Sequence, residues 1–229
     1  MGYLIQGQEV TLPVEIRDAR VAAATFLVPA DPVQSLIAHT GLEVARLPLG
    51  RAMCSLAFIR YEDGDLGKYN EIAVAFMVKH HDGRKGMAPY IHQLPVDQGF
   101  TLEAGQTIWG FPKFMTASTI ASDSRGASVS LAEGDTHILT LAVRRGPVGL
   151  PDREMPLDAY SFRDGVLRRT RWETANEGTR GRPGGATLVL GASHPMAEEL
   201  RRVGLPRRAV MTSTVDRMRA WFQEPEVCR

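Results

Sequence analysis

The chain has 229 residues with 27 basic and 26 acidic side chains, and a formal net charge of +1 gives no reason to expect nucleic acid or an anionic membrane as its main partner. Hydrophobic residues at 44% and charged residues at 23% fit a globular domain with its own core, and the apolar runs are too short and interrupted for a transmembrane span. Two cysteines are too few for a disulfide framework, and the start MGYLIQGQEVTLP lacks signal-peptide features, so a reducing cytoplasmic setting is expected.

Taken in chain order, the predicted elements are mostly strands. Arg20 leads VAAATFLV (21–28), after which DPVQSLIAHTG reads as a helix with Asp31 as cap, Pro32 at its first position and Gly41 as its stop. RAMCSLAFIRYE (51–62) and YNEIAVAFMVKH (69–80) read as strands, and TLEAGQTIW as a short helix. FMTASTIAS (114–122), GASVSLAEG (126–134) and THILTLAVRR (136–145) add three more strands. The stretch 144–158 reads as a crossing loop. DGVLRRTRWETA (164–175) returns to strand, and the Gly/Pro-rich 176–186 reads as an exposed hairpin loop. ATLVLGA (186–192), a helix in SHPMAEELRRVG with Ser193 as cap, and a last strand over 209–222 complete the chain. Many short strands between turns predict one β-rich α+β domain over 1–229. Its antiparallel sheets would form a sandwich or cone-like barrel around a central cavity, with a few short helices.

Alternation with period two places three charges in comparable settings. Glu71 shares a face with Ala73, Ala75 and Met77, while Ile72, Val74, Phe76 and Val78 lie on the other. Arg20 shares one with Ala22, Ala24 and Phe26, and Lys113 one with Met115, Ala117 and Thr119. If these faces meet, a guanidinium, a carboxylate and an amine line one cavity. Plain readings stand beside each: a solvated strand start for Glu71, a surface charge for Arg20 with Arg17 equally available, and a snorkelling lysine after a turn proline. Lys113 is nonetheless unusual. Only 4 of the 27 basic residues are lysines, and this one sits among Trp109, Phe111, Phe114 and Met115 in IWGFPKFM. His80-His81 reads as a turn after a strand rather than a metal site, and His92 and Gln93, which precede the lysine segment, as packing residues rather than substrate contacts.

YNEIAVAFMV and AGQTIWGFPKFM resemble the acetoacetate decarboxylase family, in which a Tyr-X-Glu strand start precedes an aromatic-Pro-Lys by some forty residues. RVAAATFLVPADPVQSLI and GASHPMAEELRRVGLP are similar to further family segments. The resemblance implies a lyase acting on a small oxo-acid, with Lys113 forming an imine, Glu71 moving protons and Arg20 orienting a substrate carboxylate. It also implies a homo-oligomer with no cofactor and no metal. Alternatives within that resemblance are an aldolase-dehydratase using a pyruvate-like donor and a binding protein without catalysis. Activation of the lysine amine by burial or by a neighbouring cation is the family's established chemistry. Two departures stand out: Phe114 occupies the place of the family's second lysine, and a further family glutamate falls near Leu56. Desolvation, which lowers a buried lysine by roughly 3–5 units, is therefore the expected activator here.

Overall fold

The computed structural model describes residues 2–152 and 154–228. Its first strands are β1 (Gly2–Ile5), β2 (Gln8–Thr11), β3 (Val14–Pro29), β4 (Arg51–Gly64), β5 (Tyr69–Lys79) and β6 (Met87–Val96). β7 (Lys113–Met115), β8 (Ala117–Asp123), β9 (Gly126–Glu133), β10 (Thr136–Arg144) and β11 (Val148–Gly149) follow. The remaining strands are β12 (Glu154–Arg163), β13 (Val166–Glu177), β14 (Arg180–Pro183), β15 (Ala186–Leu190), β16 (Met211–Phe222) and β17 (Glu226–Val227). Three helices, α1 (Ala30–Ile37), α2 (Gly99–Trp109) and α3 (Pro195–Arg202), are inserted between strands. No described helix is long and apolar enough to cross a membrane.

β3, β4, β5, β6, β12, β13 and β16 close into a barrel, antiparallel throughout except where Tyr90 of β6 meets Tyr160 of β12 in parallel. A four-stranded sheet in the order β15-β10-β9-β8 forms a second layer. The alternation of β3 to β5 decides which face meets that layer. Phe26, Leu56, Phe58, Ile72, Val74 and Phe76 point outward and are buried with Leu131, Leu139 and Leu141 of the second sheet. Fully burying each such side chain is worth about 1.5–3 kcal/mol. The inward face is carried by Val21, Ala57 and Ala73, with Ile59 and Tyr61 beside them. These small residues are half-buried and leave space on the inner wall.

One end of the barrel is filled with aromatic rings. Trp109 lies 5.7 Å from Phe111, Phe111 6.0 Å from Trp172, and Trp172 5.1 Å from Phe222. The Trp109 indole N–H donates to the Gln223 carbonyl at 2.9 Å, which gives the buried ring its polar partner. α2 enters this interior with Thr101, Ala104, Gly105, Ile108 and Trp109 buried, and stops at Gly110, whose φ of +63° suits glycine.

Several elements differ from expectation. α1 begins at Ala30 with Pro29 before it; Asp31 does not cap it and instead pairs with Arg46 at 2.7 Å. His194, not Ser193, caps α3, its Nδ1 accepting from the Met196 N–H. The expected loop 144–158 contains the start of β12, and the expected hairpin loop 176–186 contains β14, paired to β16. Both are tertiary pairings that local Gly/Pro content conceals. PYIHQLP lies within β6, a barrel strand despite its two prolines, which pairs with β5 along its length and with β7 at its far end. The expected strand 114–122 is two strands in different sheets, divided at Thr116. Lys113 therefore shares no face with Ala117 or Thr119.

Candidate active site

Lys113 opens β7, paired in parallel with Leu94 of β6, and the pairing turns its side chain into the barrel beside Leu94. The Gln106 side-chain amide donates to the Lys113 carbonyl at 2.7 Å and fixes the backbone there. Room for the long side chain comes from Gly105: a Cβ at that position would lie 2.6 Å from both Lys113 Cδ and Cε.

The ammonium end is almost wholly enclosed, with the Lys113 side chain 4% and that of Glu71 7% exposed. Lys113 Nζ donates to Thr101 Oγ1 at 2.9 Å and lies 5.1 Å from the centre of the Tyr69 ring. It stands 3.1 Å from Glu71 Oε2, close enough for an ion pair but off the direction of a hydrogen bond. Glu71 Oε1 is held separately by the Tyr61 hydroxyl, which donates at 2.7 Å. Tyr61 stacks on Tyr69 at 4.2 Å, so the two rings form one wall of the site. Burial, and then the Glu71 charge, push both phenols well above their ordinary range, so they remain protonated donors through neutral pH. A buried amine–carboxylate pair is costly to desolvate, and each partner offsets that cost only while the other is present.

Lys113 and Glu71 thus meet. Arg20 does not join them. In the β3–β4–β5 register, Glu71 lies across from Ile59 and Ile59 across from Val21, while Arg20 lies in the adjacent row with Arg60 and Asn70. Adjacent rows face opposite ways, so Arg20 projects from the outer wall and Val21 takes the inner position in the Glu71 row. Among the described residues, no guanidinium stands within ion-pair distance of Glu71. Phe114, next to the lysine, also faces outward and stacks against His194 at 6.2 Å. Leu56 lies fully buried in the outer apolar layer. His92 and Gln93 both engage Glu199 of α3, at 2.7 and 2.6 Å, and so anchor that helix to β6.

Sequence reading missed Thr101, Gly105, Tyr61 and Tyr69 as parts of the site. Thr101 and Gly105 are four apart on α2, which puts them on one helix face, and that spacing was the available signal. Tyr69 was visible as the first letter of Tyr-X-Glu. Among the described residues no group of three or more His, Cys, Asp or Glu is placed to hold a metal ion.

A closed barrel with a buried lysine–glutamate pair on its inner wall defines the class to which comparison with known proteins also assigns the chain. The sequence profile of the family described as Acetoacetate decarboxylase (ADC) matches residues 5–219. The chain belongs to the acetoacetate decarboxylase family. No curated protein matches the sequence. Among solved structures, the acetoacetate decarboxylase from Legionella pneumophila superposes with a TM-score of 0.73 at 14% identity, covering 97% of this chain and 91% of that one. Another acetoacetate decarboxylase gives 0.71 at 15% identity, over 96% and 90%. The enduracididine biosynthesis enzyme MppR, complexed with the condensation product of pyruvate and imidazole 4-carboxaldehyde, gives 0.64 at 12% identity, over 95% and 90%. At these identities the likeness is one of fold.

Proposed function

We propose that the protein is a lyase that decarboxylates a small 3-oxo acid through an imine on Lys113. The observation that carries this reading is the enclosed Lys113–Glu71 pair, with Thr101 on the amine and Tyr61 on the carboxylate. One proton serves both partners. When it rests on Glu71, the pair presents a neutral amine and a carboxylic acid side by side. The amine adds to the substrate ketone, and Glu71 gives its proton to the departing oxygen, so that water leaves and a protonated imine remains over a carboxylate. The C–C bond to the substrate carboxylate then breaks. Its electron pair moves into the iminium, giving carbon dioxide and a neutral enamine. A solvent proton, relayed through Glu71, protonates the enamine carbon, and water hydrolyses the new iminium to product ketone and free lysine.

The placement of Arg20 bears on the choice between decarboxylation and aldol chemistry. An arginine clamped on the substrate carboxylate stabilises the ground state and opposes loss of that charge. The inner positions in the Glu71 row are the apolar Val21 and Ile59, which suit a carboxylate about to leave as neutral carbon dioxide. An aldol donor keeps its carboxylate and gains from a cation that holds it.

Incubation with acetoacetate, pyruvate or oxaloacetate followed by borohydride and intact-mass measurement tests the reading. An adduct present in the wild type and absent in Lys113→Ala supports it, and carbon dioxide release measured against condensation with an aldehyde assigns the reaction. Absence of an adduct with all three oxo-acids would refute imine chemistry on this substrate class.

A further inference from the structure

The outer wall that carries Arg20 holds a cavity of about 340 Å³, roofed by the β8–β9 hairpin and separated from Lys113 by the sheet itself. Its volume is at the lower end of small-molecule sites. The floor is apolar: Ala22 and Phe58 of the barrel face Ile120 and Ala127 of the second sheet. Its polar rim is uneven. Arg145 is committed to Asp216, and Arg60 Nε forms an ion pair with Glu62 at 2.7 Å. Arg20 has no carboxylate within ion-pair distance among the described residues; its charge reaches Asp216 only from further off. A second unfilled group stands beside it. Thr214 lines the cavity, is 7% exposed, and its Oγ1 has no hydrogen-bond partner.

The fold provides this arrangement through a β-bulge. β16 pairs regularly with β3 up to Val215–Val21 and resumes at Met218–Ala19, so two residues, Asp216 and Arg217, oppose the single Arg20. The bulge turns Asp216 toward Arg145 and leaves the Arg20 guanidinium without a partner across the strand. An uncommitted guanidinium, a buried free hydroxyl and an apolar floor together suit one ligand chemistry: a carboxylate head on a short aliphatic body. The two rim aspartates, each already bound to an arginine, disfavour a dianion.

We propose that this cavity is a second ligand site, distinct from the lysine site, which binds small amphipathic monocarboxylates with the carboxylate on Arg20 and the aliphatic chain on Phe58. This site does not depend on imine chemistry at Lys113.

The test titrates hexanoate, with hexanamide as the uncharged control, into the wild type, Arg20→Gln, Thr214→Val and Lys113→Met. Calorimetry supplies the affinity, and amide chemical shifts supply the location. Expected results are binding in the wild type and in Lys113→Met, with shifts centred on Ala22, Phe58 and Ala127. Arg20→Gln and hexanamide should each weaken binding about tenfold or more, as loss of a charge-assisted contact does, and thermal melts establish that both Arg20→Gln and Thr214→Val are folded. A smaller loss in the isosteric Thr214→Val places the hydroxyl at the ligand. Failure of hexanoate to bind, or binding that survives Arg20→Gln and disappears in Lys113→Met, overturns the proposal. The latter outcome would leave the imine reading intact, and an absent borohydride adduct would leave this site intact.

Discussion

Replacing Gly105 by alanine separates the fold of the site from its chemistry. The new Cβ would fall 2.6 Å from Lys113 Cδ and Cε and 3.3 Å from Nζ. Carbon atoms in good contact are about 3.5–4.0 Å apart, so the lysine stem must retreat by about 1 Å. Lysine is flexible and can do so, but only by leaving Thr101 and Glu71. A displacement of that size costs on the order of 10²-fold in rate when a nucleophile must meet its target in line. Stability should respond differently. Gly105 is inside α2, where alanine is favoured over glycine by about 1 kcal/mol, against an overpacking cost of about 1–3 kcal/mol. The net loss is therefore about 2 kcal/mol or less, a few degrees in Tm at this size. The assay is the time course of borohydride-trapped adduct by intact mass, beside a thermal melt. In a Lys113→Ala background the clash is absent, so Gly105→Ala should there raise stability by about 1 kcal/mol. A wild-type trapping rate in Gly105→Ala, or equal stability effects in the two backgrounds, would refute the placement of the lysine stem against α2.

Glu71→Gln keeps an acceptor for the Tyr61 hydroxyl but cannot carry the shared proton, so turnover should fall about 10²–10⁴-fold, and the buried amine, left without its carboxylate, should also lower Tm; a smaller loss of turnover would remove Glu71 from proton transfer. Tyr61, Tyr69, Tyr90 and Tyr160 are all raised, chiefly by burial, with Tyr90 pushed up to about 12, so absorbance at alkaline pH should show these phenols still protonated at pH 10. The sign follows directly: the unfolded chain loses these protons first, so the stability they contribute is complete below pH 10 and declines as pH rises above it. Tyr90 alone accounts for on the order of 3 kcal/mol of that decline, and denaturant melts that are flat across this range would contradict it. Cys54 is fully buried with its thiol pushed far up by desolvation, so iodoacetamide should leave it unmodified in the native protein and alkylate it in denaturant. Native alkylation at Cys54 would show that the outer layer opens.

The sequence by itself determined the β-rich class, the alternation that sorts bulky from small residues on β5, and the two residues that meet in the candidate site. Lys113 stood out as a lone ammonium in an apolar stretch and Glu71 shares its strand face with alanines, but Arg20 met the same test, and it was the family resemblance of YNEIAVAFMV and AGQTIWGFPKFM that joined Lys113 to Glu71. Residues that lie far apart in sequence could not be placed together in that way. Thr101, Gly105 and Tyr61 become part of the site only when α2 enters a closed barrel and two strands bring their tyrosines into one stack. The same limit applies to Arg20. Alternation within β3 gives the residues that share its face, but whether that face is the inner or outer wall depends on register with β4 and β5 and on the bulge in β16. A change of one residue in register exchanges the two walls, and only the hydrogen-bonded sheet fixes it.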